Sequence, residues 1–180
     1  MNNKQIIETV LLACEEPISI NAIKNIINDF NMDDAKIIKI IDQINDSYKL
    51  DKKGIYIASI ANGYQIRTLP EFNKYIQIAK NNVFKYKLSK AAFEVLSIIS
   101  FKQPISKSDI EDIRGVDCSG IIRKLLERKI IKIKGRDKAI GKALLYSTTS
   151  LFLEKIGLNH INELPKISEI KELIKKNEIK

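Results

Sequence analysis

Few residues of this 180-residue chain have the type and spacing that bond-making chemistry needs. The single histidine, His160, lies in GLNHINELP outside any Cys/His ligand pattern, and reads as a solvated surface residue rather than a base or metal ligand. Residues 135–143, GRDKAIGKA, have the glycines and lysine of a phosphate-binding loop but fail its chemistry. Five residues rather than four separate Gly135 from Gly141, Ala143 stands where a Ser or Thr would hold magnesium, and a strand is expected to follow where the loop needs a helix. Asp109, Glu111 and Asp112 cluster on a predicted helix between Lys107 and Arg114, the pattern of a solvated, partly ion-paired face. A catalytic dyad would need a pocket that nothing here implies. Cys14 and Cys118 lie far apart with no CxxC spacing, which argues against zinc and against a disulfide framework. Cys14 ends an apolar helix and is expected to be a packing residue. No catalytic, cofactor-binding or metal-binding residue is therefore expected, and no small-molecule substrate.

Charge carries more information. The net charge is +9, yet residues 1–80 hold ten Lys+Arg against ten Asp+Glu, so the whole excess falls in residues 81–180. The two halves have different electrostatic tasks. MNNKQIIETV has no signal-peptide core, and the longest apolar stretches are soon broken by Lys, Asn or Glu, so a cytoplasmic protein that does not enter a membrane is expected.

The elements that must position these charges repeat. Shifted by 87 residues, Pro17, Ile18 and Ser19 fall on Pro104, Ile105 and Ser106, Ile23 falls on Ile110, Ile6 on Phe93, and Leu11 and Leu12 on Ile98 and Ile99. In each copy an apolar helix stops at a proline turn, and a serine then stands where an N-cap oxygen is needed. In the first copy helices are expected over 4–13 and 20–28, and Ile37, Ile40, Ile41, Ile44 and Tyr48 form the stripe of a third. Periodicity then changes to that of strands, GIYIASIA over 54–61 and YQIRT over 64–68, meeting at Asn62 and Gly63, a pair suited to a two-residue hairpin turn. A short helix over 71–79 follows, and KNNVFKYK over 80–87 reads as the boundary.

The second copy runs helix 89–100, helix 107–113, helix 118–128, strand 130–134, a wing marked by Gly135 and Gly141, and strand 143–147, then a helix over 150–156 stopped by Gly157. Past Pro165, Ile167, Ile170, Leu173 and Ile174 share one helical face. The fold class is mainly α with small β-hairpins (α+β): two tandem winged-helix domains, 1–80 and 81–165, and a helical or flexible tail over 166–180.

In such a fold the third helix enters a groove and the wing touches the backbone. Arg123, Lys124 and Arg128 on or just past that helix, and Lys134, Arg136 and Lys142 along the wing, are thus the candidate partner-binding residues of the second domain, with Lys129, Lys132 and Lys138 beside them. They could neutralise phosphates, or form a soluble lysine-rich face. Specific base reading is disfavoured, because the helix opens Cys118, Ser119, Gly120 without Asn, Gln or an Arg cluster. The first domain's third helix leads with Asp33 and Asp34, which would repel phosphate. Ile38, off the main stripe, with Tyr56 and Ile60 of the first strand, are candidates for a protein contact, although a small domain also needs strand residues for its own core.

Residues 88–165 resemble the signature of the segregation and condensation protein B family. The resemblance rests on the opening Leu88 and Ser89, the turn Phe101, Lys102, Gln103, Pro104, Ile105, the junction Ile113, Arg114, Gly115, Val116, then Leu125, Leu126, Glu127, Arg128, Gly135 and Arg136, Leu145 and Tyr146, Thr148 and Thr149, Phe152 and Leu153, Gly157 and Leu158, and Leu164 and Pro165. The first half is more loosely similar, through its opening helix, the turn at Pro17 and Ile18, and residues 63–68. The resemblance implies two winged-helix domains, a homodimer formed mainly by the first, and binding of the kleisin subunit (segregation and condensation protein A) of the SMC condensin ATPase, with no catalysis by this chain. It places the candidate kleisin surface on helix 118–128 and wing 135–142, held in shape by Gly115, Gly120 and Gly135. The sequence departs from the family at Gly141, Lys142, Ala143, where Gly-Arg-Pro is usual; a lysine there gives up the planar two-pronged carboxylate binder. The alternative is direct, salt-sensitive DNA binding by the basic second domain.

Overall fold

A computed structural model describes residues 2–28, 32–80, 88–137 and 141–165. The boundary segment 81–87, the wing tip at Lys138 and the tail 166–180 lie outside the described residues. Helix α1 (Asn3–Ala13) starts where the Asn2 side chain accepts from the Lys4 amide, and α2 (Ile20–Ile27) where the Ser19 hydroxyl accepts from the Ala22 amide. Helix α3 (Asp34–Leu50) is capped by Asp33. Its expected stripe is the one that is used: Ile37, Ile41, Ile44 and Tyr48 are buried and Ile40 packs beside them. Together with Ile7, Leu11, Ile23 and Ile57 they make the first core.

Strands β1 (Ile55–Ile60) and β2 (Gly63–Thr68) pair antiparallel in register Ile57 with Ile66 and Ile60 with Gly63. The turn therefore lies at Ala61 and Asn62, both with positive φ (50° and 63°), not at Asn62 and Gly63 as the sequence suggests. Gly63 is instead fixed by close approach. A Cβ there would lie 2.9 Å from the backbone carbon and oxygen of Ile18, which exchanges hydrogen bonds with Tyr64 at 2.9 and 2.8 Å. Gly63→Ala is expected to destabilise the chain by about 2 kcal/mol, since backbone on both sides must move. By contrast Gly120, which has nothing within 4 Å of its Cβ position, lies inside a helix, and Gly120→Ala should stabilise by about 0.5 kcal/mol. Chemical denaturation of the two variants checks both signs.

A 3-10 turn (Pro70–Phe72) and α4 (Asn73–Lys80) close the first half. In the second half, α5 (Lys90–Lys102), the short strand β3 (Ile105–Ser106), α6 (Lys107–Arg114), α7 (Ser119–Glu127), β4 (Ile131–Arg136), β5 (Leu144–Thr148) and α8 (Ser150–Ile156) give the winged-helix plan again, with sheet order β3-β5-β4. Strand β3 is absent from the sequence reading because it is two residues long. Its counterpart in the first half is the single bridge of Ile18 to Tyr64, as Ile105 pairs with Tyr146. Ser106 caps α6 as Ser19 caps α2, with Asp109 completing the capping box. The repeat slips by one residue in the opening helices: the buried pairs are Ile7 with Val95 and Leu11 with Ile99, while Leu12 is exposed. Cys14, expected to pack, is exposed at the end of α1 because the chain turns away there. As expected, α8 ends at Gly157 in the left-handed conformation (φ 82°).

Tyr48 shows how the first core constrains a polar group. Its hydroxyl donates to Glu8 Oε1 at 2.9 Å, and burial, reinforced by that bond and by the Glu8 charge, pushes its pKa from 10.0 up to about 12. The unfolded chain ionises this phenol first. Stability is thus complete below pH 10 and falls by about 2 kcal/mol as pH rises to 12. Tyr48→Phe should remove that slope while losing the hydrogen bond, which urea unfolding at pH 8 and pH 11.5 would read.

Candidate functional site

Helix α7 turns Ile122 and Leu125 into the second core and leaves Arg123 and Lys124 in solvent. Arg123 Nε donates to Glu127 Oε1 at 3.0 Å one turn on, so part of its charge is already balanced. At the helix start the free amides are taken by acids. The Cys118 amide donates to Glu111 Oε1 at 2.8 Å and the Ser119 amide to Asp117 Oδ2 at 3.3 Å. The Ser119 hydroxyl, donating at 2.6 Å, is the leading reason that the Asp117 carboxyl titrates below its ordinary value. A carboxylate therefore stands where a DNA phosphate would need to approach. The expected face of Asp109, Glu111 and Asp112 resolves into a cap and a bridge: Asp109 caps α6, and Glu111 joins Lys107 at 3.4 Å to the Cys118 amide. Arg114 goes instead to Glu94 at 3.1 Å and to Cys118 Sγ at 3.3 Å.

On the wing, β4 carries a register shift between Ile133 and Gly135 that leaves Lys134 unpaired at a bulge and exposed. Arg136 donates to the Lys142 carbonyl at 3.2 Å, and the Asp137 amide to Ala143 at 2.8 Å, so Arg136 and Lys142 meet at the wing base. Arg128 does not join them. It follows α7 and lines an apolar groove of about 1000 Å³ formed by α5, α8 and the segment after α8. The supporting role expected of glycine holds only for Gly115, whose φ of 71° ends α6; at Gly120 and Gly135 a side chain would meet nothing.

Of the three residues proposed for a protein contact, Ile60 is 4% exposed and lines a cleft with Ile156 and Gly157 of the other half, so it is spent within the chain. Ile38 and Tyr56 are exposed. Phe72, Tyr75 and Ile78, missed in the sequence, are further exposed apolar side chains of the first half. The spacing of three residues along one helical face was the available signal, and Phe72 is placed there by Gly54, whose Cβ position is 2.8 Å from its ring. Phe93 and Phe101 on α5 were missed as well; their signal is a helix apolar on more than one face. His160 is exposed, and its amide donates to Glu163 Oε1 at 3.1 Å. Among the described residues no His, Cys, Asp and Glu group could hold a metal ion, and no helix is long and apolar enough to cross a membrane.

Residues 5–167 match the family model described as segregation and condensation complex subunit ScpB. The chain is similar to segregation and condensation protein B of Clostridioides difficile, with 38% identity covering 94% of each chain, and to that of Syntrophotalea carbinolica, with 33% identity over 97% of this chain and 87% of the relative. Among solved structures, ScpB from Mycobacterium tuberculosis aligns over 87% of this chain and 95% of its own, with 26% identity and a TM-score of 0.40. The match to the family model runs from α1 past the end of α8 and takes in both winged-helix halves: this chain belongs to the segregation and condensation complex subunit ScpB family.

Proposed function

We propose that this chain is a non-catalytic subunit of a bacterial SMC–kleisin complex, acting in chromosome condensation and segregation during cell division on the nucleoid in the cytoplasm. It binds the kleisin, segregation and condensation protein A, as a homodimer, and through it regulates an SMC ATPase whose catalytic residues lie elsewhere. The observation that carries this reading is the family match across both halves rather than across one winged-helix module. The division of charge agrees with it. A C2 interface suits a first half whose charges balance, and Tyr56, Phe72, Tyr75 and Ile78 supply exposed apolar area there. The second half offers the kleisin the cations Arg123, Lys124, Lys134, Arg136 and Lys142, and apolar surface beside Arg128.

Direct DNA binding is the second reading, favoured by the exposed cations of α7 and the wing and opposed by the carboxylates at the start of α7. Size-exclusion chromatography with light scattering separates the two. The expected result is a dimer that co-elutes with its cognate kleisin at physiological salt and ignores duplex DNA. A chain that ignores kleisin and shifts onto DNA would overturn the proposal. Tyr75 is 67% exposed and lies outside both buried cores. Tyr75→Glu together with Tyr56→Glu should therefore convert the dimer to a folded monomer; an unchanged mass would move the interface elsewhere.

A further inference from the structure

Asn62 and Gly63 form the one Asn-Gly pair of the chain, and the fold sets them where its two halves touch. An asparagine before glycine can cyclise. The glycine amide nitrogen attacks the side-chain amide carbon, ammonia leaves, and water opens the resulting succinimide to aspartate or isoaspartate. Glycine favours the step because it has no side chain to obstruct the ring. The Asn62 side chain is exposed, so water reaches it, but its backbone opposes the reaction. With φ at 63° Asn62 is left-handed, and its ψ must swing far from the left-handed value to bring the Gly63 nitrogen to the side-chain carbon. Contacts on both sides hold that backbone. Gly63, buried against the Ile18 backbone, pairs with Ile60 to close the hairpin. Across the seam the Ala61 amide donates to the Leu158 carbonyl at 2.9 Å and the Asn62 amide to Asn159 Oδ1 at 3.3 Å, which fixes both turn residues.

We infer that Asn62 is a deamidation site gated by this seam: the side chain is inert while the halves are docked and cyclises when they part. Water is the sole co-reactant. The bond between the Gly63 nitrogen and the Asn62 side-chain carbon forms as the bond to the departing ammonia breaks, and hydrolysis then reopens the ring at either carbonyl. Both products loosen the seam. Asn62 shares a cleft of about 410 Å³ with Asp34 and Glu163, so a carboxylate at this position adds a third negative charge to a site that already holds two. In isoaspartate the main chain also runs through the side-chain carbon and is one atom longer, so the turn no longer presents both amides to Leu158 and Asn159. Each parting of the halves is thereby given a chance of becoming permanent. The inference stands on the hairpin tip and the seam and does not depend on the SMC–kleisin reading.

Incubation of the full chain at mildly alkaline pH, followed by peptide mass spectrometry, tests it. Aspartate and isoaspartate at position 62 are counted in the wild type, in Asn159→Ala with Arg67→Ala, and in the wild type unfolded in guanidinium. The expected result is conversion in the folded wild type about tenfold or more slower than in the unfolded chain, and several-fold faster in the double variant than in the folded wild type. Circular dichroism should show both halves of the double variant folded, so that its faster conversion reports the open seam and not unfolding. Asn62→Asp, which carries one product from the start, should exchange the amides of Ala61 and of residue 62 several-fold faster than the wild type. Equal conversion in the folded wild type and the double variant would overturn the gating. A lack of conversion in the unfolded chain would overturn the site itself, and unchanged exchange in Asn62→Asp would overturn its effect on the seam.

Discussion

Leu125→Ala is expected to lower the stability of the second half by about 3 kcal/mol and to leave the first half as it was. Leu125 has no exposed surface and belongs to the core built from Val95, Ile99, Ile110, Ile122 and Ile131, where removing three carbons leaves a cavity that a helix packed on two sides cannot fill. No residue of that core is shared with the cluster around Ile41 and Ile44. Hydrogen exchange resolves the outcome by residue: protection falls in α5 and α7 and holds in α3. The same change tests the proposed surface, because Arg123 and Lys124 are aimed by the helix that Leu125 anchors. Kleisin affinity should fall with the stability of α7, whereas a charge change alone, Lys124→Ala, should leave stability as it is. If α3 loses protection together with α7, the halves unfold as one cooperative unit and the two cores are not independent.

The repeat made much of the fold legible. A proline turn, an isoleucine and a capping serine recur at one spacing, and in both halves they do the same work, Ile18 and Ile105 bridging to a tyrosine of the second wing strand and Ser19 and Ser106 capping the next helix. The stripe from Ile37 to Tyr48 was equally plain, since helical periodicity reports burial directly. The hairpin turn was displaced by one residue because local propensity favours Asn-Gly at the tip, while the need for a glycine against the Ile18 backbone put Gly63 in the strand. Long-range demands of that kind leave no local signal. Gln103 illustrates the same limit within the family signature: its Oε1 accepts from the Thr148 amide at 2.7 Å and hydroxyl at 3.0 Å, tying the turn to the end of β5, so it is structural rather than a binding group. The candidate cations were readable as types but not as a site, since only the fold separates Arg128, beside the groove, from Arg136 and Lys142 at the wing base.

The contacts between the halves were wholly hidden in the sequence, and they give the second large effect. Gly157 turns the chain after α8 so that Leu158 and Asn159 meet the tip of the first hairpin. The Ala61 amide donates to the Leu158 carbonyl at 2.9 Å, the Asn62 amide to Asn159 Oδ1 at 3.3 Å, and Asn159 Nδ2 to the Ser59 carbonyl at 3.1 Å. Beside them Arg67 donates to the carbonyl of Glu154 in the last turn of α8, where a cation also suits the helix dipole. Asn159→Ala with Arg67→Ala removes all but the backbone bond. At roughly 1 kcal/mol for each bond lost, about 3 kcal/mol of coupling should go, with little change in the stability of either half. Nitrogen-15 relaxation reads the result, as one correlation time for the whole chain in the wild type and two shorter ones in the variant. Most of these donors and acceptors are neutral amides, so raising salt should not mimic the variant as it would for a seam held by ion pairs. A single correlation time that survives the double change would mean that the apolar contact around Ile60 and Ile156, rather than the hydrogen bonds, fixes the angle at which the two winged helices present their faces.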